Sequence, residues 1–172
     1  MTGHYRAPEP LAERHDIATF TCRSNEQTDW LRRHARQSVS AGTTKVFVVT
    51  EVDTSVVVGY YGWCMAQLTS GASPARLRKG AGRYPQPVAL LARLGVDTAH
   101  EGRGLGAALL QDVFARALEL SEDIGCRGLV VHSESDEARD FYLHLVPEFE
   151  PSPTDDLHLV LLMKDIRRTL RG

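Results

Sequence analysis

Six residues, Glu101-Gly102-Arg103-Gly104-Leu105-Gly106, stand between an apolar run and the longest amphipathic stripe of this 172-residue chain. A junction of that kind is a strand feeding a helix through a tight turn. Three glycines at alternate positions let the backbone come close to a ligand and aim several unpaired N–H groups at one point, while the helix behind them adds the positive end of its dipole. An anion, above all a phosphate, is the natural occupant. Glycine is equally the ordinary residue of a strand-to-helix turn that binds nothing, so the flanking segments have to decide.

On one side, Val88-Ala89-Leu90-Leu91-Ala92-Arg93-Leu94-Gly95-Val96 reads as a mostly buried strand, with Asp97 to His100 as a short loop. On the other, a helix is predicted from about Gly102 to Ile124, with Leu105, Leu109, Val113, Ala117, Leu120 and Ile124 on one stripe and Gly125 as its stop. Gly128 to Ser133 is a second buried strand, so the unit is strand, glycine loop, helix, strand. Two nucleotide-binding folds contain it. Gly102, Gly104 and Ala107 satisfy the permissive G-x-G-x-x-A pattern of a dinucleotide fold. However, the unit starts near residue 88, and the 39 residues after Ser133 are too few for the rest of a doubly wound sheet.

The second fold is that of the GNAT acetyltransferases, which the chain resembles at more than one place. Their motif Gln/Arg-x-x-Gly-x-Gly/Ala, between the fourth strand and the third helix, falls here on Glu101, Gly104 and Gly106. The resemblance implies that the backbone of Glu101, Gly102, Arg103, Gly104, Leu105 and Gly106 holds the pyrophosphate of acetyl-CoA. The first position departs from the motif, and a carboxylate aimed at a pyrophosphate would cost energy. Glu101 is therefore expected to face solvent and offer only its N–H, with Arg103 as the source of positive charge. The implied fold class is α/β (α+β), a mixed central sheet flanked by about four helices.

More narrowly, the chain is similar to the GNAT toxins of bacterial type II toxin-antitoxin pairs. The similarity lies in Phe20-Thr21-Cys22, in Asp29-Trp30-Leu31-Arg32-Arg33-His34-Ala35, in Leu91 to Asp97, in Ala138-Arg139-Asp140-Phe141-Tyr142 and in Leu157 to Asp165. What it implies is acetyl-CoA-dependent acetylation of the α-amino group of aminoacyl-tRNA, which blocks translation. It also implies a ribbon-helix-helix antitoxin as partner and a homodimer.

Length and a 42% apolar content agree with a single acetyltransferase domain over residues 1–172. No apolar run reaches the roughly 18 residues of a membrane span and no signal-peptide pattern opens the chain, so a cytoplasmic protein is expected. Cys22, Cys64 and Cys126 are odd in number and far apart, which reads as small buried hydrophobes. The seven histidines show no ligand spacing, and no metal is expected.

The net charge of −2 is unevenly spread along the chain. Residues 1–96 carry 12 Lys and Arg against 7 Asp and Glu, whereas residues 97–172 carry 8 against 15. No acid occurs between Asp53 and Asp97, where Arg76, Arg78, Lys79, Arg83 and Arg93 lie. The first four sit in a Gly-, Pro- and Ser-rich stretch from Thr69 to Pro87, predicted to be a mobile loop, which suits a phosphate backbone. Arg32, Arg33 and Arg36 form a second basic cluster on a helix from Asp29, with Arg32 and Arg36 on one face. All eight are RNA-binding candidates, and a merely solvated surface is the competing reading.

An α-amino group with a pKa of about 7.7 to 8.0 is partly neutral near pH 7, whereas lysine at about 10.4 needs a strong base. An aminoacyl ester would need no dedicated base. The resemblance implies that a backbone N–H of the fourth strand, where it splays from the fifth near Leu94, Gly95 and Val96, polarises the thioester. It further implies that Tyr142 returns a proton to the leaving thiolate. The turn that is usually Gly-Phe in the family is Glu148-Phe149 here, after Pro147. His132 is either a proton relay or a satisfied strand histidine.

Lys45 to Glu51 and Ser55 to Gln67 read as antiparallel strands around Asp53-Thr54, and Leu157 to Met163 as a late strand. Helices are predicted near the N-terminus, from Asp29, from Gly102 and from Ser135. Three functions fit: a tRNA-acetylating toxin, an acetyltransferase for a protein or small-molecule amine, and a non-catalytic CoA- or RNA-binding regulator.

Overall fold

In the computed structural model, which describes residues 4–172, alternation of strands and helices follows the apolar pattern closely. The elements in order are β1 (Glu9–Pro10), α1 (Asn25–Asp29), a π turn (Trp30–His34), α2 (Ala35–Ala41), β2 (Lys45–Thr50), β3 (Val57–Leu68), α3 (Ala75–Arg78) and β4 (Gln86–Val96). A 3-10 turn (Thr98–His100) leads to α4 (Leu105–Asp123), β5 (Gly128–His132), α5 (Asp136–Leu145), β6 (Glu150–Ser152), β7 (Asp155–Leu162) and α6 (Met163–Arg171). The strands form one seven-stranded sheet in the order β1-β2-β3-β4-β5-β7-β6. The sheet is mixed: β2 and β3 pair antiparallel, whereas β4 and β5 pair parallel from Ala89–Leu129 to Leu91–Val131.

The chain divides into two compact units, residues 1–64 with 92–112, and residues 65–91 with 113–172. In the first, Phe20, Leu31, Val48, Val57 and Tyr60 are sealed from solvent around an aromatic group. Phe20 meets Tyr60 edge-on at 5.5 Å, and Trp30 stacks on the same ring at 6.1 Å. The buried Tyr60 hydroxyl donates to the carbonyl of Gln27 at 2.7 Å, so the ring is placed without an orphaned polar atom. Across the hairpin Phe47 stacks on its register partner Tyr61 at 5.2 Å. Truncating one such sealed ring to alanine costs about 3–5 kcal/mol.

The second unit closes around Leu68, Leu77, Val88, Val130, Val160 and Leu162. Its tightest point is Gly128, where an added Cβ would lie 2.6 Å from the Leu161 carbonyl oxygen. β5 and β7 can approach there only because that side chain is missing.

Several expectations are corrected. Residues 4–24 hold the short strand β1 and turns, not a helix. α4 starts at Leu105 instead of Gly102, because Gly102 and Gly104 adopt left-handed φ values of 75° and 81°. Its stripe keeps Leu105, Leu109, Val113 and Ala117, adds Leu110 and Phe114, and loses Ile124, which is 52% exposed beyond the helix end. Gly125 is not left-handed, so it follows the helix without capping it. The stretch from Thr69 to Pro87 is folded, with α3 inside it, Leu77 and Ser73 fully buried, and the Ser73 hydroxyl donating to the Thr69 carbonyl at 2.7 Å. β6 and α6 were not foreseen.

Candidate active site

The glycine turn belongs to the first unit. Asp97 caps the 3-10 turn through Ala99 N–H at 2.9 Å and also accepts from Thr21 N–H at 3.1 Å. This holds the end of β4 and the start of the turn together. The Gly104 carbonyl accepts from Ala108 N–H at 3.0 Å, which makes Gly104 the residue at the N-cap of α4. Having no side chain, it offers no oxygen to the amides of Leu105, Gly106 and Ala107. Those donors remain open at the positive end of a 19-residue helix. An added Cβ at Gly102 or Gly104 would meet nothing within 4 Å, so the space before the amides is clear. Left-handed backbone, unoccupied donors and open space suit a pyrophosphate, the group that joins the two halves of acetyl-CoA.

Both charged residues of the turn are tethered within the same unit. Glu101 is exposed, and there its carboxylate pairs with Arg23 at 2.9 Å. Arg103 donates to the Tyr5 hydroxyl at 3.0 Å, and Tyr5 in turn meets His100 Nδ1 at 2.8 Å. Leu94, Gly95 and Val96 form the end of β4. Gly95 is packed so closely that a Cβ would lie 3.2 Å from the Tyr60 ring and 3.3 Å from the Cys22 sulfur.

The basic residues of this unit separate into used and unused. Arg93 sits over the Trp30 ring at 5.2 Å and pairs with Glu26 at 3.0 Å. Arg36 donates to the Ala12 and His15 carbonyls at 3.0 and 2.6 Å, pinning the N-terminal segment. Arg32 and Arg33 are exposed with no partner among the described residues. Arg32 and Arg36 are both exposed, across a π turn whose bond runs from Ala35 N–H to the Trp30 carbonyl, but only Arg36 is tied to backbone carbonyls.

Tyr142 belongs to the second unit, on α5, whose N-cap Ser135 accepts from Ala138 N–H at 3.1 Å. Its ring is 6% exposed and packs edge-on against Phe141 and Phe149, at 5.2 and 6.1 Å. The hydroxyl has no hydrogen-bond partner among the described residues. Burial, and then the Glu134 carboxylate, push the phenol well above its ordinary pKa, so it holds its proton throughout the working range. The turn after α5 closes through Val146 N–H to the Tyr142 carbonyl at 2.9 Å and Phe149 N–H to the Val146 carbonyl at 3.2 Å, without the usual glycine.

In the basic stretch, Arg76 is bound by Glu150 at 3.1 Å and by the buried Asp165 at 3.0 Å, while Arg78, Lys79 and Arg83 are exposed. Tyr84, 79% exposed beside Arg83, was overlooked in the sequence. His132 is the exposed last residue of β5 and stacks on His158 at 3.8 Å. Desolvation and the neighbouring imidazole lower its pKa against the opposing pull of Asp155. Cys22 is buried as expected, whereas Cys64 and Cys126 are half-buried and burial raises both thiols. Among the described residues no group of three or more His, Cys, Asp or Glu could hold a metal, and no helix is long and apolar enough to cross a membrane.

The sheet, the strand-to-helix glycine turn and the protonated tyrosine together describe an acyl-CoA-dependent transferase. The acetyltransferase (GNAT) family model matches residues 11–145, and the chain belongs to that family of N-acetyltransferases, whose acyl donor is acetyl-CoA. It is 40% identical over 167 residues to a tRNA-acetylating toxin of Mycobacterium tuberculosis, covering 97% of each chain. It is 29% identical to a probable toxin TacT of Sinorhizobium fredii, covering 94% of this chain and 93% of the other. Among solved structures, a tyrosine-to-phenylalanine variant of KacT superposes with a TM-score of 0.88 at 23% identity, covering 96% of this chain and 99% of KacT. AtaT complexed with acetyl-methionyl-tRNAfMet gives 0.85 at 22%, covering 95% and 98%.

Proposed function

We propose that this chain is a single-domain toxin that moves the acetyl group of acetyl-CoA to the α-amino group of aminoacyl-tRNA. It acts in the cytoplasm as a homodimer and is neutralised by a ribbon-helix-helix antitoxin. The observation that carries the substrate is the 40% identity, end to end, to a relative named for tRNA acetylation. AtaT, a structural neighbour, is known in complexes with the C-terminus of its antitoxin AtaR, which supports a partner of that kind here.

Acetyl-CoA supplies the acetyl group as a thioester, whose carbonyl carbon is open to a neutral amine. The amides of the turn, from Glu101 to Gly106, hold its pyrophosphate. A backbone N–H along Leu94–Val96 polarises the carbonyl and meets the negative charge that grows on its oxygen. As the N–C bond forms and the C–S bond breaks, Tyr142 gives its proton to the sulfur, the amine loses its surplus proton to water, and the Tyr142 phenolate takes one back from water before the next turnover. Arg32, Arg33, Arg78, Lys79 and Arg83 are the cations left to meet RNA phosphates. Arg36, Arg76 and Arg93 serve mainly to hold the fold.

The test mixes the protein and its Tyr142→Phe variant with labelled acetyl-CoA and a pool of aminoacylated tRNA. Label should enter the RNA with the wild type and fall by about 10²- to 10⁴-fold with the variant, while acetyl-CoA binding is unchanged. Normal acetyl-CoA binding with no label in RNA would overturn the tRNA assignment and direct the search to protein and small-molecule amines.

A further inference from the structure

Within the second unit, the segment before β5, the end of α3 and the first turn of α6 enclose a recess of about 370 Å³. Besides Arg76, which is paired with Glu150 and Asp165, its walls carry four further cations, Lys79, Arg127, Lys164 and Arg167, from three separated parts of the sequence. None of the four has a carboxylate partner among the described residues. Arg127 is the most constrained of them. Its guanidinium donates to the Leu77 carbonyl at 2.8 Å, the Gln86 side-chain oxygen at 2.6 Å and the Lys79 carbonyl at 3.3 Å, all neutral acceptors. Its orientation is thereby fixed while its charge is left uncompensated. Asp165 and Glu150 are held by Arg76, and Asp165 also by Arg168 at 3.5 Å. α6 begins at Leu162 and Met163 beside the same recess, but it adds little charge there, because Met163 N–H donates to the Arg127 carbonyl at 3.0 Å and Asp165 stands in its first turn.

Four unneutralised cations held within one recess repel one another, and a multiply charged anion relieves that repulsion. We propose that this recess is a second phosphate-binding site, which takes two adjacent phosphoryl groups. A single phosphate would leave part of the cation set unmet, and a carboxylate carries too little charge. The site stands on the second unit alone and does not depend on the acetyl-transfer reading. The recess lies at the Gly128 end of β5, whereas α5, which carries Tyr142, follows the His132 end, and Tyr142 is not among the residues that line it. Adjacent phosphoryl groups come either from a free polyphosphate or nucleotide, or from consecutive links of an RNA strand.

The experiment measures binding of inorganic pyrophosphate and, separately, of deacylated tRNA, with saturating CoA present so that the glycine turn is filled. Wild type is compared with Lys164→Gln/Arg167→Gln, whose side chains are exposed or half-buried. If pyrophosphate binding weakens at least tenfold, the recess takes a free polyphosphate. If tRNA binding weakens and its log–log salt slope falls by about two, the phosphates are those of RNA. Unchanged binding of both probes overturns the site. Should the double variant melt early, Lys164→Gln and Arg167→Gln replace it one at a time, with a salt-slope change of about one in place of two.

Discussion

The glycine turn at 101–106 and the basic stretch at 69–87 signal the same kind of ligand in the sequence, and folding treats them in opposite ways. The turn keeps its donors: Gly102 and Gly104 are left-handed, and nothing crowds them or caps the amides behind them. The stretch gives up part of its charge. Arg76 is consumed by Glu150 and Asp165, and the backbone around it is folded onto Arg127 and a buried Leu77. A signal written in backbone conformation is local and survives folding, because neighbours along the chain set it. One written in side-chain charge survives only where no distant carboxylate arrives.

The strongest way to break this comparison is Gly102→Val with Gly104→Val. Forcing two β-branched residues into the left-handed region costs about 1–2 kcal/mol each, so acetyl-CoA affinity by calorimetry should fall by roughly two orders of magnitude. Unchanged affinity would mean that the turn is an ordinary one. Next in size, Arg76→Gln should lower Tm by several degrees, because it strips the buried Asp165 of its closest cation. Arg83→Gln should leave Tm within about 1 °C while weakening tRNA binding a few-fold, with a salt slope smaller by about 0.9. If Arg76→Gln behaves like Arg83→Gln, the stretch is a solvated loop after all.

The smallest effect is an alkaline one at Tyr142. Its pKa in the folded state lies above the ordinary 10.0, so the unfolded chain loses that proton first as pH rises. Stability contributed by the neutral phenol is full below pH 10 and is lost above it. Wild type should therefore lose Tm faster between pH 9 and 11 than Tyr142→Phe does. Parallel curves would show that the phenol is not desolvated.

Much of this was legible in the sequence. The strand from Val88 to Val96, the turn, the body of α4, the strand from Gly128 and the helix carrying Tyr142 all declared themselves through apolar period and glycine placement. β6 was not legible, since three residues containing Pro151 carry no period of their own and owe their conformation to β7. The π turn at Trp30–His34 was equally hidden, and with it the different fates of Arg32 and Arg36. The recess was legible only in its Arg76 and Lys79 wall. Arg127, Lys164 and Arg167 lie in the acidic half of the chain, and only folding brings them beside it.

The two charged halves of the sequence also dissolve in three dimensions. The first compact unit holds 9 Lys and Arg against 10 Asp and Glu, and the second 11 against 12, so each carries −1. What the sequence by itself determined is whatever depends on near neighbours: the strand-turn-helix unit, its left-handed glycines, the N-cap of α5 and the family to which they belong. Which cations remain free and which are bound into the fold was decided only by tertiary structure. Ion pairs join residues as far apart in sequence as Arg76 and Asp165, and folding alone brings such partners within reach.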